Sequence, residues 1–473
     1  MRLLLLIIFI LSSICSFTQK QNNNWYFGEY AGITFNTDPP TALTDGQLNT
    51  LEGCASISDT AGNILFYTDG SNVYNKSHNI MVNGSGLNGN FSSTQSAVIV
   101  PLPNSNTIYY IFTLDGVETF PVEICYSIVD MTLDGGYGEI TTKNQLIMSQ
   151  GTERVTIIKH ANDLNYWIVF HEWNSNNFYT FLLSNAGLNM TPIISSVGSV
   201  NSGNYWNAAG YMKSNADGNR IAMAFWGTMA ILELYKFDNS TGILSSALTF
   251  NEPDPYGLEF SPSGQYLYVS NFNTHSLIQY DISTYDQATI NNSKTTIYSG
   301  TDYIGALQLG PDNKIYASIW SPGVLSVVNN PDNAGISCNY QSNAISLNGR
   351  YAQMGLPTLV NHTYFIEDTI PDIDTTLTSF ISFPNVFTPN GDHYNETFQP
   401  QYSNIFDFHL TVFNRWGAVV FETEDIERGW DGKTKGNECS DGTYFWTASY
   451  RMYENNASVN KTDKGSVTLM RKN

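Results

Sequence analysis

The stretch GLEFSPSGQYLYVS (residues 257–270) carries the pattern that decides the fold. An apolar segment runs into a turn rich in Ser, Pro and Gly, and a second segment of alternating aromatic and β-branched residues follows. Alternation of this kind is typical of β-strands, and the turn residues predict that two antiparallel strands are joined there. The stretch ALQLGPDNKIYASI (306–319) repeats the design, and its second strand begins 49 residues further along the chain.

Four earlier segments share this pattern and bring the number of copies to six. They are CASISDTAGNILFYTDG (54–70), SAVIVPLPNSNTIYYIF (96–112), TIIKHANDLNYWIVF (156–170) and GYMKSNADGNRIAMAF (210–225). The second strands are predicted to begin near Ile64, Ile108, Tyr166, Ile221, Tyr266 and Ile315, at steps of 44 to 58 residues. Further strand candidates follow each copy, such as ILELYKFDNSTG (231–242). Three or four antiparallel strands at this spacing describe one blade of a β-propeller.

A propeller must join its two ends, because an open ring leaves two unpaired strand edges. GLPTLVN (355–361) resembles the first strand of a copy, and NNNWYFG (22–28) and AGITFNT (31–37) supply later strands. Together they predict a seventh blade built from both ends of the module. The alternative is a six-bladed ring with a loose N-terminal arm. Since no long window has apolar residues at 3.6-residue spacing, the fold class is all-β.

The two ends of the chain suggest how it is divided. Residues 1–20, MRLLLLIIFILSSICSFTQK, place one cation before a short apolar run, which predicts a signal peptide over 1–18. No later stretch approaches the roughly 20 apolar residues that a spanning helix needs, so no membrane-spanning segment is expected after cleavage. The acidic, Thr-rich segment 365–380 indicates a linker between a propeller (19–364) and a C-terminal domain (381–473).

The C-terminal part contains five motifs in a fixed order. They are FPNVFTPNGD (383–392), VFNRWGAVVF (412–421), GWDGK (429–433), DGTYFW (441–446) and KGSVTLMR (464–471). In these motifs the chain resembles the type B C-terminal sorting domain, also called the gliding-motility-associated C-terminal domain, of type IX secretion cargo. Period-2 apolar residues in LTVFNRWGAVVFE (410–422) independently predict a hairpin, and 441–453 and 464–470 predict further strands of a small β-sandwich.

The resemblance implies that the type IX secretion machinery recognises residues 381–473. It also implies that the protein is exported through the periplasm and is either secreted or attached to the outer cell surface. The residues that carry the resemblance are Phe387, Pro389, Asn390, Gly391, Asp392, Asn414, Arg415, Trp416, Gly417, Trp430, Asp431, Gly432, Gly442, Thr443, Tyr444 and Gly465. Arg415 and Trp416 form either a recognition surface or a cation–indole stack that fastens the hairpin.

Charge excludes two classes of partner. The net charge of −21 divides into −18 for residues 1–379 and −3 for residues 380–473, and Lys and Arg form no cluster. An acidic body repels phosphate groups, so nucleic acid and anionic membrane surfaces are not expected partners. Four cysteines remain after the signal peptide, without metal-ligand spacing, and buried free thiols are expected rather than a disulfide framework.

The usual catalytic motifs are missing from the sequence. It has no HExxH, GxSxG or Walker motif, and no catalytic residue, metal or cofactor is assigned. The segment 151–174 offers a polar group of residues: Glu153, Arg154, Lys159, His160, Asp163, His171 and Glu172. Pairing of Glu153 with Arg154 and a turn at His160 and Asp163 favour a structural role for this group.

One loop of the C-terminal domain presents oxygen-bearing side chains at a spacing that suits Ca²⁺. These residues are Asn390, Asp392, Asn395 and Glu396. The alternative is an Asx-type turn in which Gly391 has a positive φ. The turn is the interpretation we favour.

A tryptophan follows the second strand in three copies, and Asn and Phe follow it in another. Because equivalent strand ends in a propeller point to one face, these side chains are candidates for a ring around one channel mouth. The candidate ligand-binding residues are Trp173, Trp226, Asn271, Phe272 and Trp320. The alternative role for these side chains is packing between blades.

These observations favour an exported cell-surface or secreted binding or adhesion protein for a glycan or a surface protein. An alternative is a secreted propeller enzyme acting on polysaccharide, either a hydrolase or a lyase. A structural component of the surface motility apparatus is a third possibility. Enzyme activity is left open, with binding preferred.

Overall fold

A computed structural model describes residues 20–360, 379–391, 395–403, 405–454 and 457–471. The chain forms two compact units, Met1–Glu367 and Asp368–Asn473. The predicted signal peptide and most of the predicted linker lie outside the described residues.

The first unit consists of six complete blades and a closing blade. The closing blade holds β1 (Asn24–Phe27), β2 (Ala31–Thr34) and β3 (Thr41–Leu43). Blade 1 holds β4 (Ala55–Ser58), β5 (Ile64–Thr68), β6 (Asn72–Asn75) and β7 (Ile80–Ser85). Blades 2 and 3 share one long strand and hold β8 (Ala97–Pro101), β9 (Ile108–Leu114), β10 (Val122–Asp130), β11 (Glu139–Lys159), β12 (Tyr166–Glu172), β13 (Ser175–Ser184), β14 (Gly187–Leu188) and β15 (Ile193–Asn201).

The remaining complete blades have four strands each. Blade 4 holds β16 (Met212–Ser214), β17 (Arg220–Phe225), β18 (Ile231–Asp238) and β19 (Ile243–Asn251). Blade 5 holds β20 (Pro255–Phe260), β21 (Tyr266–Asn271), β22 (Ser276–Asp281) and β23 (Thr295–Ser299). Blade 6 holds β24 (Ile304–Leu309), β25 (Ile315–Ile319), β26 (Val324–Val328) and β27 (Tyr340–Ser346). Helical structure in the described residues is limited to α1 (Gln287–Asn292) and four 3₁₀ segments (Val117–Thr119, Asp134–Gly136, Tyr205–Ala208 and Gly335–Cys338).

The predicted second strands are confirmed. Five of the six begin at the expected residue, and β17 begins at Arg220, one residue before Ile221. The turn that precedes each of them contains a residue with a left-handed backbone, namely Gly62, Asn104, Asp163, Gly218, Gly264 and Asn313. Gly, Asn and Asp adopt this conformation at low cost, which explains why the same residue types recur between the two strands.

Burial decreases from the first strand of a blade to the last. Every residue of β4, β8, β16 and β20 is buried, whereas the outer strand β7 has mostly exposed positions and the outer strand β23 has no buried one. The first strands therefore lie at the centre of the ring, and apolar clusters fill the spaces between neighbouring blades. This radial order is that of a propeller.

Both ends of the module close the ring, as predicted. The backbone of residues 354–358 lies between two first strands: the Ala306 amide donates to the Met354 carbonyl at 2.8 Å, and the Thr358 amide donates to the Cys54 carbonyl at 2.8 Å. The Asn22 side chain donates to the Val360 carbonyl at 3.2 Å. Leu356 packs with residues of β1 in one apolar core. The ring therefore has seven blades, and the six-bladed alternative is wrong.

The second unit is built on a five-stranded sheet. In spatial order the sheet holds β29 (Val386–Phe387), β36 (Ala457–Leu469), β35 (Gly442–Glu454), β31 (Ile405–Phe413) and β32 (Val419–Thr423). Two small ribbons accompany it, β28 (Phe380–Ser382) with β30 (Gln401–Ser403) and β33 (Lys433–Thr434) with β34 (Asn437–Glu438). The strand predicted over 464–470 is longer than expected, because β36 pairs with β35 along its whole length.

The four cysteines in the described residues are buried and form no disulfide, as expected. They are Cys54, Cys125, Cys338 and Cys439. Burial raises the pKa of the Cys54 thiol well above its usual value, so this thiol stays protonated at neutral pH.

Candidate functional site

A pocket of about 420 Å³ opens on the face of the propeller where second strands end and first strands begin. Its lining is Glu29, Tyr303, Trp320, Ser321, Tyr351 and Gln353. Trp320 and Ser321 follow β25, Tyr303 precedes β24, and Glu29 follows β1. Residues from blade 6 and from the closing blade thus meet in one pocket.

Aromatic rings form the walls of this pocket. The rings of Tyr303 and Trp320 have centroids 5.6 Å apart and planes at 83°, so they present two perpendicular faces. The Trp320 amide donates to the Tyr303 carbonyl at 3.0 Å, which fixes the two residues relative to each other. Trp320 is 41% exposed and Tyr351 is 45% exposed, so apolar ring surface is available to a ligand.

The polar groups of the pocket come from the closing blade. The Gln353 side-chain amide donates to Glu29 Oε1 at 2.5 Å. Gln353 Oε1 is buried and has no hydrogen-bond partner among the described residues. A buried acceptor without a partner is costly, and a ligand hydroxyl or amide at this point would satisfy it. Glu29 is the one carboxylate among the lining residues, and the lining contains no Lys or Arg.

The candidate residues from the sequence occupy different environments. Trp320 lines the pocket, whereas Trp173 is 6% exposed and packs against Val117, Val122 and Ala208. Asn271 is buried, and its side-chain amide donates to Glu252 Oε1 at 2.7 Å.

The other two candidates lie beside the pocket and not in its lining. Trp226 is half-buried and donates to Asp254 Oδ1 at 2.5 Å. Phe272 is buried with its ring centroid 5.8 Å from that of Trp320. Phe272 therefore supports the aromatic wall from behind, and Trp226 packs against Phe272.

Four lining residues were not singled out from the sequence: Glu29, Tyr303, Tyr351 and Gln353. The pattern of residues after second strands is repeated in the complete blades and not in the closing blade. Its extension to the closing blade would have selected Gly28, directly after β1, and Glu29 lies one residue further along. Tyr351 and Gln353 precede the central segment of the closing blade, and only the ring closure brings them to Trp320.

The polar group of residues 151–174 does not form a site. Glu153 and Arg154 do not pair with each other, contrary to expectation. Glu153 accepts hydrogen bonds from Thr94 and from the Val117 amide, and Arg154 donates to the carbonyls of Ala224, Asn207 and Ala209. Alternate residues of a strand point to opposite faces, which separates neighbours 153 and 154. The expected turn at His160 is present, and Lys159 pairs with Asp163 at 2.9 Å.

His171 makes the propeller sensitive to acid. Its ring is fully buried, and burial and nearby Arg154 lower its pKa to about 3. The folded pKa lies below the unfolded value of about 6.5, so the stability that depends on neutral His171 is complete above pH 6.5 and is lost as the pH falls towards 3.

We expect His171→Phe to remove this acid-dependent loss of stability, which amounts to about 1.4 kcal/mol per pH unit between the folded and unfolded pKa values of His171. Urea unfolding of the wild type and the variant between pH 4 and 7 measures it. Parallel stability–pH curves for the two proteins would contradict a buried, neutral His171.

In the second unit, most of the motif residues build the core or its turns. Phe387, Trp430 and Tyr444 are buried together, and the Trp430 indole donates to the Lys433 carbonyl at 2.8 Å. A Cβ at Gly465 would lie 2.6 Å from the Trp446 ring, so the sheet needs a glycine there. The predicted hairpin joins β31 to β32, and Asn414 Oδ1 accepts hydrogen bonds from the amides of Trp416 and Ala418.

Trp416 lies at the tip of this hairpin and is 85% exposed. Arg415 is exposed beside it. An indole that is almost completely exposed contributes little to holding a hairpin together, because little of its apolar surface leaves water.

The loop that was considered for Ca²⁺ is described only in part, because Asp392 lies outside the described residues. Gly391 has a φ of 83°, which the turn alternative requires, and the Asn395 carbonyl accepts from the Thr388 amide at 2.7 Å. Across the described ranges, no three His, Cys, Asp or Glu side chains come together as a metal site would need. The Ca²⁺ site at this loop stays a prediction.

Comparison with solved structures gives similar folds at very low identity. A putative 6-phosphogluconolactonase from Bacteroides fragilis matches with 11% identity and a TM-score of 0.43, over 71% of this chain and 98% of that chain. A protein from Lactobacillus plantarum matches with 13% identity and a TM-score of 0.43, over the same shares of each chain. A putative 6-phosphogluconolactonase from Bacteroides uniformis matches with 12% identity and a TM-score of 0.40, over 64% and 92%. No curated protein matches the chain.

The C-terminal unit matches a protein family. Within the described parts of the chain, no helix has the length and apolar character that crossing a membrane requires. Residues 381–469 match the family model described as the CHU_C type IX secretion signal domain. The C-terminal unit is therefore a type IX secretion signal domain, and the protein is exported to the cell surface or the surrounding medium.

Proposed function

We propose that this exported protein binds a glycan in the pocket at the mouth of its propeller. The observation that carries this proposal is the pairing of exposed aromatic rings with the unpartnered, buried Gln353 Oε1. Aromatic faces pack against the C–H surfaces of sugar rings, and sugar hydroxyls donate to amide and carboxylate oxygens. The pocket offers both kinds of contact within about 420 Å³.

Charge favours a neutral glycan over an acidic one. The pocket contributes the Glu29 carboxylate and no cation, and residues 1–379 carry a net charge of −18. Uronic acids and sulfated sugars would be repelled by both. Neutral sugars avoid this repulsion.

Binding is favoured over hydrolysis for a chemical reason. Glycosidic bond cleavage ordinarily requires two carboxyl groups on opposite sides of the scissile bond. The described pocket lining supplies one, Glu29, whose Oε1 already accepts from Gln353. Adhesion to a surface polymer follows as the role of such a binding protein, with polysaccharide cleavage as the alternative.

We expect Trp320→Ala to weaken glycan binding at least tenfold, because it removes one wall of the pocket. A glycan array first identifies the ligand, and calorimetry then measures the affinity. The matched control is Trp173→Ala, which removes a buried indole 6% exposed and outside the pocket lining. It should lower the unfolding free energy by about 3–5 kcal/mol and leave the affinity of the folded protein unchanged. An unchanged affinity in Trp320→Ala would refute the proposal that the glycan binds in this pocket.

We further propose that Arg415 and Trp416 are contacted by the secretion machinery. Recognition explains an indole that is 85% exposed on a hairpin whose turn is held by Asn414. Burial of the Trp416 ring within the hairpin would have favoured the fastening role instead. Trp416→Ala is expected to reduce the exported fraction at least fivefold, measured by immunoblotting of medium, surface and periplasm.

The stability of this variant separates the two roles of Trp416. Substitution of an exposed side chain changes stability by no more than about 0.5 kcal/mol, so the variant should unfold like the wild type. Normal export combined with reduced stability would support the fastening role.

A further inference from the structure

Side chains from five consecutive blades converge at the start of the first strands, close to the axis of the ring. They are Glu52, Thr94, Glu153, Tyr211 and Tyr256, each located just before or at the start of the central strand of its blade. All five are buried. Since equivalent positions of the central strands face the same point on the axis, this group forms one polar cluster, which we call the axial cluster.

Glu153 is fully satisfied within the axial cluster. Its Oε2 accepts from the Thr94 amide at 2.9 Å and from the Thr94 hydroxyl at 2.7 Å, and its Oε1 accepts from the Val117 amide at 2.7 Å. Burial raises the pKa of Glu153 to about 7, although the three donors favour its charged form.

Three other polar atoms of the axial cluster are not satisfied. Glu52 Oε2, the Tyr211 hydroxyl and the Tyr256 hydroxyl are buried and make no hydrogen bond of ordinary geometry among the described residues. Glu52 nevertheless lies close enough to interact with the side chains of Tyr256 and Thr94, and Tyr211 interacts with the backbone of Leu356. The two tyrosine rings are 5.6 Å apart, and the Tyr211 amide donates to the Tyr256 carbonyl at 3.0 Å. Burial raises the pKa values of both tyrosines, and the negative charge of nearby Glu52 raises them further, so the three groups lie within short range of each other. Buried polar groups in native proteins normally have a partner.

No protein cation neutralises Glu52 in the described structure. Arg154 follows Glu153 directly, but its Nε and Nη2 donate to backbone carbonyls of blade 4. Lys213 belongs to an ion pair with Glu259 at 3.1 Å. Burial and the neighbouring carboxylates Glu153 and Glu118 raise the pKa of Glu52 well above its ordinary value, so the site holds either a proton or another positive species.

We infer that the axial cluster binds a divalent cation, with Ca²⁺ as the best fit, through Glu52 and the hydroxyls of Tyr211 and Tyr256, directly or by way of bound water. Every available group is an oxygen, which suits a hard cation, and Ca²⁺ tolerates irregular oxygen ligand sets better than Mg²⁺. Exported proteins use Ca²⁺ sites with dissociation constants of about 0.1–1 mM. The cation would cross-link blades 1, 4 and 5 at the axis, and this role is independent of glycan binding in the pocket.

Luminescence of Tb³⁺, a Ca²⁺ substitute that tyrosine sensitises at short range, tests this inference on the purified protein. We expect tyrosine-excited Tb³⁺ emission that millimolar Ca²⁺ displaces, with binding at least tenfold weaker in Glu52→Gln. Glu52→Gln keeps the shape of the side chain and removes its charge. The control is Glu396→Gln, which affects the loop of the secretion signal domain and should leave the propeller emission unchanged.

A second measurement keeps the test decisive if Glu52→Gln alters folding. Ca²⁺ should raise the melting temperature of the propeller in the wild type, and EDTA should reverse the shift. Tyr211→Phe and Tyr256→Phe, which each lose only a hydroxyl, should reduce that shift. Emission and melting temperature that do not respond to cations, together with a Glu52→Gln variant more stable than the wild type, would overturn the inference and assign a proton to Glu52. Emission lost in Glu396→Gln but kept in Glu52→Gln would also overturn it.

Discussion

Gly355→Ala is expected to destabilise the propeller by about 3 kcal/mol or more, at the high end of overpacking effects. A Cβ at this position would lie 1.8 Å from the Glu52 carbonyl oxygen and 2.3 Å from the carbonyl carbon. Both are backbone atoms, so no side-chain rotation relieves the clash. Residue 355 lies in the segment that closes the ring, and separating it from residue 52 opens the contact between the closing blade and blade 1. Urea unfolding followed by tryptophan fluorescence measures the change.

Gly86→Ala is the matched control for this effect. Gly86 has a φ of 73°, and a Cβ there would meet nothing within 4 Å. Its substitution therefore costs only the backbone strain of about 1–2 kcal/mol. Equal losses of stability in the two variants would mean that residues 52 and 355 separate easily, and that the ring is not held closed at this point.

The second large effect concerns the secretion signal domain. Trp430→Ala should lower its unfolding free energy by about 3–5 kcal/mol, because the ring is 0% exposed and packs 4.8 Å from Tyr444 and 5.3 Å from Phe387. The substitution also leaves the Lys433 carbonyl without its indole donor. The free energy of unfolding of a small domain is about 5–15 kcal/mol in total, so the substitution removes a large share of the stability. Export of the full-length protein should fall together with the folded fraction.

Trp430→Phe provides the graded comparison, since it keeps most of the apolar volume and should export better than the alanine variant. Thermal unfolding and the distribution of the protein between periplasm and medium are measured for both. Full export of an unfolded Trp430→Ala variant would show that the machinery reads a linear segment instead of the folded domain.

The blades could be predicted from the sequence because their signals are local. In 257–270 and 306–319, strand alternation and turn residues lie within 14 residues, and β21 and β25 begin at the predicted Tyr266 and Ile315. The closing blade was also predictable, because a ring of strands has to be completed by whatever strand-forming segments remain.

The pocket could be predicted only in part, because side-chain surroundings depend on the neighbouring blade. Trp173 and Trp320 follow equivalent strands, but the segment Val117–Val122 covers Trp173, and nothing comparable covers Trp320. No property of the sequence around 173 or 320 encodes that difference. Similarly, the axial cluster unites residues up to 204 positions apart, from Glu52 to Tyr256, and only the circular arrangement of the blades brings them together.

The position of the closing strands also sets the order of events during synthesis. Asn22 and Val360 are joined by a hydrogen bond across 338 residues, so β1 is made first and obtains its central neighbour last. At about 5–20 residues per second, a ribosome needs roughly 17–68 seconds to cover that distance. Throughout that interval the buried apolar strand Asn24–Phe27 is without its final neighbours. The ring therefore cannot be completed until its last blade has emerged.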